Sequence, residues 1–456
     1  MSTTNLSAYT WEQQPAAAEL VQNLLEKFRR GSPEIKRLGQ RLRDETGTRL
    51  LDWIDSLFLS SEQDLPQRLE NVGFRPAEEE DVCVWQHPGG IFPSVSCGAP
   101  FFVDATGADV LTIKVDCVDD FSRVHANSAA VCRGKSGSPL RTTLLPASDG
   151  PRLAAIERHG WRKLTWPTVT DRQIAQAAKY CQAFAQRTRD CGADASGFQL
   201  AAALIGVAAR DLGADWACDL FFAAERHDWM SRNHAARVQY DRQQKLGLGW
   251  ANHDHHTYRS SRASFQNLVS VLEQLGFHCR ERFYAGQEAG WGAQVLEQPQ
   301  AGLVVFADVD LSPEEVHGDF AHEPLPSRDE LGTVGLWCAL HGVSFLQAGL
   351  HHLECQFDFE AARDQLRSAG VETMAPFTDF SFLRQAFTAG EMWAVDPERI
   401  EKTLASGAIT AEQAEQFRSV GALGSHLEIL ERNDGYKGFN QTGVSDIIAR
   451  TDPRNA

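Results

Sequence analysis

His351-His-Leu-Glu-Cys-Gln-Phe-Asp-Phe359 alternates apolar and polar side chains without a break. A strand puts successive side chains on opposite faces. Leu353, Cys355, Phe357 and Phe359 therefore share a face suited to packing under a helix. His352, Glu354, Gln356 and Asp358 share the other. Glu360–Gly370 follows with helical spacing, so the unit starts as strand then helix. The same start occurs about a hundred residues earlier. His253–Ser260 reads as a strand, and Ser264–Gly276 as an amphipathic helix with Phe265, Leu268, Val271, Leu272 and Leu275 on one stripe. Phe277–Tyr284, Trp291–Glu297 and Leu303–Asp310 then read as strands, giving the order β-α-β-β-β. The later copy carries an insertion with helices near Asp396–Ser406 and Thr410–Val420, and Ser425–Arg432 closes it as a strand.

Outside this region the pattern is plainer. Residues 1 to about 60 read as helical, with Ala16–Arg30 stopped by Gly31-Ser32-Pro33 and a second helix over Arg41–Leu57. Val82–Trp85, Ile91–Val95 and Val110–Val115 are short β-type runs punctuated by His87-Pro88-Gly89-Gly90 and Gly98-Ala99-Pro100. Asp171–Gly213 is helical and alanine-rich. The stretch shows no internal repeat, and His87, Asp104, Asp116 and His125 are scattered polar residues without a catalytic pattern. Lys245-Leu-Gly-Leu-Gly-Trp250 reads as a hinge. The expected fold class is α+β: a mixed α/β and helical region over 1–240, of unknown role, and a metal-binding catalytic domain of β-α-β-β-β modules over 245–456.

The chain has 456 residues, with 43% hydrophobic and 23% charged, an ordinary globular composition. Lys and Arg number 44 against 61 Asp and Glu, which leaves −17. Such a surface repels polyphosphates and argues against nucleic-acid binding. No apolar run reaches the ~20 residues a membrane helix needs. The N-terminus has neither the basic nor the apolar segment of a secretory leader. The ten cysteines include no CxxC pair, which suggests free thiols in a reducing compartment and a cytoplasmic protein. Oligomeric state is left open.

Ten of the 15 His lie from residue 251 onward. In Ser425–Arg432, His426, Glu428 and Arg432 share the polar face while Leu427 and Ile429 share the apolar one. Asn252-His-Asp-His-His-Thr-Tyr-Arg259 is polar on both sides, with His253, His255, Thr257 and Arg259 on one face and Asp254, His256 and Tyr258 on the other. Any one of these His in isolation is more often a hydrogen-bonded sheet residue. Matched polar faces on three strands point instead to two imidazoles and a carboxylate around a metal. That set leaves open positions and suits Fe(II) oxygenase chemistry. Zn(II), Mn(II) or Ni(II) would give Lewis-acid chemistry without O₂.

The repeated units with inward His and Glu resemble the vicinal oxygen chelate superfamily. More narrowly, residues 245 to 450 resemble the 2-oxoadipate dioxygenase/decarboxylase family, also called hydroxyglutarate synthases. The matching segments are His255-His-Thr-Tyr-Arg259, His351-His352-Leu353-Glu354, Leu383-Arg384-Gln385-Ala386-Phe387-Thr388, and Glu428-Ile429-Leu430-Glu431-Arg432. The resemblance implies His255, His352 and Glu428 as ligands of Fe(II), with Arg259 on a substrate carboxylate. It implies a small 2-oxo acid and O₂ as substrates, and oxidative decarboxylation with hydroxylation of the same molecule. Arg384 is the candidate for the far end of a dicarboxylate, or else a surface arginine. His351 is a rival to His352, and His426 is either a supporting residue or an added ligand. Tyr258 and His256 fit hydrogen-bonding support. Two other readings stay open: an O₂-independent isomerase, epimerase or lyase on the same scaffold, and a metal-free protein that binds a small anion. Oxygen uptake and metal content separate the three.

Overall fold

The computed structural model describes residues 11–60, 62–77, 83–97, 107–126, 130–146, 150–287, 289–440 and 450–455. Asp104 and the turn at 98–100 lie outside them. Pro15–Gly31 (α1) buries Leu20, Leu24, Leu25 and Phe28 on one stripe. Ser32 ends it and caps Pro33–Arg41 (α2), its hydroxyl accepting from the Ile35 N–H at 3.4 Å. The helix expected over Arg41–Leu57 does not form. Leu42–Thr46 is a single wide turn, Leu50–Trp53 a tight one, and Ile54–Leu59 is a strand (β1). A short apolar run suits a buried helix or a central strand equally well by pattern. Here two neighbouring strands claim its backbone.

After β1 come Leu65–Asn71 (α3), Arg75–Pro76 (β2), Cys83–Gln86 (β3) and Ser94–Cys97 (β4). The same order then recurs as Val110–Lys114 (β5), Val118–His125 (α4), Val131–Arg133 (β6), Leu140–Leu144 (β7) and Arg152–Arg158 (β8). The eight strands make one sheet in the order β2-β3-β4-β1-β5-β8-β7-β6. β1 is parallel to β4 and β5 to β8, while β1 and β5 meet antiparallel at the centre. The first half is therefore two β-α-β-β-β units, although its sequence shows no repeat. Strand pairing uses backbone groups, and the units share connectivity without sharing side chains.

Asp171–Ala185 (α5), Asp194–Leu212 (α6), Ala214–Ser231 (α7) and His234–Gln244 (α8) follow. The link at Lys245–Trp250 is anchored to the first half. Leu246 and Leu248 join its core, and a Cβ on Gly247, whose φ is +70°, would stand 2.6 Å from the Phe121 backbone.

The second sheet repeats the design. His253–Arg259 (β9), Phe265–Gln274 (α9), His278–Tyr284 (β10), Trp291–Gln298 (β11) and Leu303–Asp310 (β12) form one unit. Past Thr333–His341 (α10), the other unit is His352–Gln356 (β13), Phe359–Ser368 (α11), Thr378–Phe380 (β14), Leu383–Phe387 (β15), Glu391–Trp393 (β16), Pro397–Ala405 (α12), Ala411–Ser419 (α13) and Ala422–Arg432 (β17). The order is β10-β11-β12-β9-β13-β17-β15-β14, with β16 on β17. β9 is parallel to β12, β13 to β17, and β9 and β13 are antiparallel. Strand for strand, this is the arrangement of the first sheet. The fold is α+β, built from these modules with the expected helical insertion.

Tyr258, Leu353, Cys355, Leu427 and Ile429 point away from the polar face. They join Phe184, Phe198, Phe221 and Phe222 of the α5–α7 layer in one apolar cluster. Fully burying one such aromatic is worth about 1.5–3 kcal/mol. That layer fixes which way β9, β13 and β17 face, and so sends their polar side chains inward. All ten cysteines are free, with Cys218, Cys338 and Cys355 buried. Among the described residues no helix is long and apolar enough to cross a membrane.

Candidate metal centre

The site stands on three adjacent strands. β13 and β17 run parallel with His352 opposite His426 and Glu354 opposite Glu428. β9 lies on the other side of β13, with Glu354 opposite His255. A register shift follows at once, because Cys355 is opposite His253 and Asp254 is looped out between. That bulge corrects the faces read from alternation. Asp254 turns in with His255, and His253 turns out, its ring centre 5.3 Å from that of His256. Bulges re-aim side chains in this way, and no alternation rule reports them.

One ligand atom each from His255, His352 and Glu428 lies within 4.8 Å of the others, and all three residues are buried. His352 Nε2 is 3.0 Å from Glu428 Oε2. The second carboxylate, Glu354, is fully buried between them. Its Oε1 is 3.1 Å from His255 Nδ1, and the Gln385 amide donates to both Glu354 (3.2 Å) and Glu428 (3.1 Å). Asp254 supports His255 from behind, 3.3 Å from Nδ1. Asp254 is itself forked by Arg432 at 2.9 and 3.0 Å and accepts from Gln356 at 2.9 Å. A ligating imidazole is commonly held by a carboxylate on its other side.

His352 also belongs to a second cluster. His351, His352 and His426 place three imidazole nitrogens within 4.8 Å of one another. His426 stacks on His352 with ring centres 4.8 Å apart. His351 is tied by Nδ1 to the Gly424 carbonyl at 3.1 Å. Among the described residues His351 Nε2, His352 Nδ1 and His426 Nε2 have no hydrogen-bond partner.

Burial, then neighbouring cations and imidazoles, holds His351 and His352 well below the usual histidine range. Burial and Arg259 bring His426 down to about 3. These rings are neutral, the form that binds a metal. His255 differs: burial opposes its charge, but Glu354 and Asp254 push it up to about 9. Glu428 is raised well above the usual carboxylate value by burial and by Glu354 beside it. A divalent cation at this point would take over the positive charge now carried by His255 and relieve the carboxylate pair. Its binding would release protons. The donor set, two imidazoles and a carboxylate with a further carboxylate in reach, fits such an ion.

Arg259 is buried at the end of β9, with its guanidinium carbon 5.7 Å from the centre of the Trp337 ring. Its Nε and Nη1 have no partner among the described residues. Asp308 sits opposite it on β12, and burial pushes that carboxyl up to about 7 against the pull of Arg259 and His255. Arg384, by contrast, is not at the site. It points outward from β15, stacks 4.3 Å over Phe359, and pairs with Asp379 (2.8 Å) and Glu360 (2.5 Å). Its neighbour Gln385 faces inward instead, as strand alternation requires. Tyr258 and His256 lie on the outer face, bonded to Glu225 (3.0 Å) and Arg226 (3.3 Å). Glu354 and Gln385 are the residues sequence reasoning left without a role. Alternation already places Glu354 on the face of His352, whereas the inward turn of Gln385 shows only in its bonds to Glu354 and Glu428.

No protein-family model and no curated protein matches the chain. Solved structures do. A triple variant of 4-hydroxymandelate synthase from Streptomyces coelicolor is 11% identical over 88% of this chain and 98% of its own, with a TM-score of 0.28. A xylose isomerase-like TIM barrel/4-hydroxyphenylpyruvate dioxygenase fusion protein is 12% identical over 91% of this chain and 57% of its own, with a TM-score of 0.23. Methylmalonyl-CoA epimerase from Mycobacterium tuberculosis is 14% identical over 40% of this chain and 88% of its own, with a TM-score of 0.23. At these identities and scores the likenesses assign the chain neither a family nor an activity.

Proposed function

We propose that this protein is a non-haem Fe(II)-dependent dioxygenase acting on a small 2-oxo acid. The observation that carries the reading is the convergence of His255, His352 and Glu428 from three neighbouring strands, beside a buried arginine whose Nε and Nη1 have no partner among the described residues. The reaction class is oxidative decarboxylation with hydroxylation of the same molecule, as from a 2-oxoadipate-like to a 2-hydroxyglutarate-like acid. One O₂ is consumed and one CO₂ leaves. One oxygen atom ends in the new carboxylate and the other in the new hydroxyl.

The bound metal would supply a centre that chelates the oxo acid and activates O₂. The chain does the rest. Arg259 pairs with a substrate carboxylate through its fork, a geometry that fixes orientation as well as charge. Asp254 and Arg432 hold the His255 ring in place. Gln385 bridges the carboxylates of Glu354 and Glu428 and orients them. Trp337 and Phe387, packed against Arg259 and His352, keep water from the site.

Anaerobically reconstituted protein is expected to bind about one Fe(II) per chain, as a single centre requires. It is then expected to consume O₂ and release CO₂ with 2-oxoadipate. His352→Ala and Glu428→Ala should each lose the metal; unchanged metal content in both would show the site to be wrong. Glu354 favours a second reading, since an extra carboxylate beside the ligands could move a proton on a chelated substrate. In that case Zn(II) or Mn(II) protein would isomerise or cleave its substrate with no oxygen uptake.

A further inference from the structure

Two cavities, of about 280 and 530 Å³, lie between the two halves of the molecule. Both are lined by Asp55, Lys114 and Arg162, so these residues stand where the cavities meet. Asp55 is on β1, Lys114 on β5, and Arg158 on β8. Those are the first sheet's counterparts of β9, β13 and β17. Where the second sheet carries metal donors on its three central strands, the first carries a group of charges.

The charges do not balance. Asp55 is already forked by Arg158, at 2.7 and 2.9 Å. The Lys114 ammonium has no hydrogen bond or ion pair among the described residues. Among the described residues Arg162 reaches only the Pro299 carbonyl, at 3.4 Å. The other carboxylates acting on these two cations are Asp254, Asp52 and Glu297. Each is held elsewhere: Asp254 by Arg432, Asp52 by Arg49 at 2.7 Å, and Glu297 by Arg280 and Lys437 at 3.6 Å. Two cations thus face the cavities with no counter-ion of their own, in a chain of net charge −17. Burial and the nearby Arg162 lower the pKa of Lys114. An ammonium and a guanidinium held close together are a receptor for an oxyanion.

We propose that Lys114 and Arg162 form a binding site for a small doubly charged oxyanion, in the cavity between the two halves and separate from the metal centre. A phosphate group and a dicarboxylate share the chemistry this site would recognise. Arg158, fixed by Asp55, also donates to the Trp161 and Lys163 carbonyls at 2.7 and 3.0 Å and so holds the segment that carries Arg162.

Titration calorimetry and thermal unfolding of the full chain, with inorganic phosphate and with succinate, test this. Sodium chloride at matched ionic strength is the control. At least one of the two anions should bind with about 1:1 stoichiometry and raise the unfolding temperature beyond the chloride control. Arg162→Gln and Lys114→Met should each weaken that binding about tenfold or more, the loss expected for one charge-assisted hydrogen bond. Arg162 is exposed to the cavity, so its variant should fold even where Lys114→Met does not. The stronger of the two responses identifies the group recognised. A response no larger than that of chloride, or one unchanged in both variants, would overturn the proposal. Metal content of the variants should equal that of the parent protein, so this result is independent of the reading of the metal centre.

Discussion

Asp254→Asn is the sharpest probe of how this molecule supports its candidate centre. Asp254 and Arg432 are both buried, with side-chain exposures of 6% and 4%, and make two short hydrogen bonds. The Asn side chain keeps one acceptor but turns an NH₂ toward a guanidinium that only donates. Arg432 would retain the carbonyls of Gly438 at 2.5 Å and Tyr436 at 3.4 Å, and a charge without a partner. Breaking one side of a buried pair costs roughly 3–5 kcal/mol. Unfolding entropy is roughly 2.1 cal/mol/K per residue, or about 1 kcal/mol/K if all 456 residues unfold together. The unfolding temperature should then fall by about 3–5 °C, and by about twice that if the second half unfolds alone. Arg432→Met on top should recover much of the loss, with a coupling of about 2–3 kcal/mol. Urea unfolding of the four proteins measures both quantities. The Asn variant should also bind Fe(II) roughly 10–100-fold more weakly, because the carboxylate behind His255 is gone. A loss under about 1 kcal/mol, or no coupling, would refute the view that Asp254 and Arg432 form the support of β9.

Three further outcomes are expected. His159 hydrogen-bonds Asp219 (2.7 Å) and Glu157 (3.1 Å), and although burial opposes its charge these two acids push it up to about 10. Its folded pKa lies above its unfolded value near 6.5, so its contribution is complete below pH 6.5 and is lost as pH rises to 10. That contribution is at most about 5 kcal/mol, and His159→Gln should flatten the urea midpoint against pH across this window. Gly247→Ala should cost at least about 2 kcal/mol, through its positive φ and the overlap with the Phe121 backbone; an unchanged urea midpoint would contradict this. Glu225→Gln, which leaves Arg187 and Arg189 without their shared carboxylate and weakens the Tyr258 contact, should cost about 3 kcal/mol in the same assay.

Much of the second half was legible in its residues. Strict alternation over His351–Phe359 sets the faces of β13, and period-3.6 stripes set α9 and α11, because one buried face imposes its period on the sequence. Those same rules put His352 and Glu428 on a polar face, and the resemblance then names them as ligands. The rest needed the folded chain. Alternation cannot see the bulge that carries Asp254 inward and His253 outward, since a bulge leaves composition untouched and changes only the count of residues between paired backbone groups. It also cannot say which of two adjacent polar residues on β15 meets the cavity until the apolar side of that strand has a partner. For the first half the sequence alone determined runs and turns. Only the tertiary structure shows that β1, β5 and β8 repeat the centre of the second sheet, because connectivity is carried by backbone pairing and not by side-chain identity. The grouping of Lys114, Arg158 and Arg162 around Asp55 has the same origin. Charges about a hundred residues apart become neighbours only where three strands lie side by side.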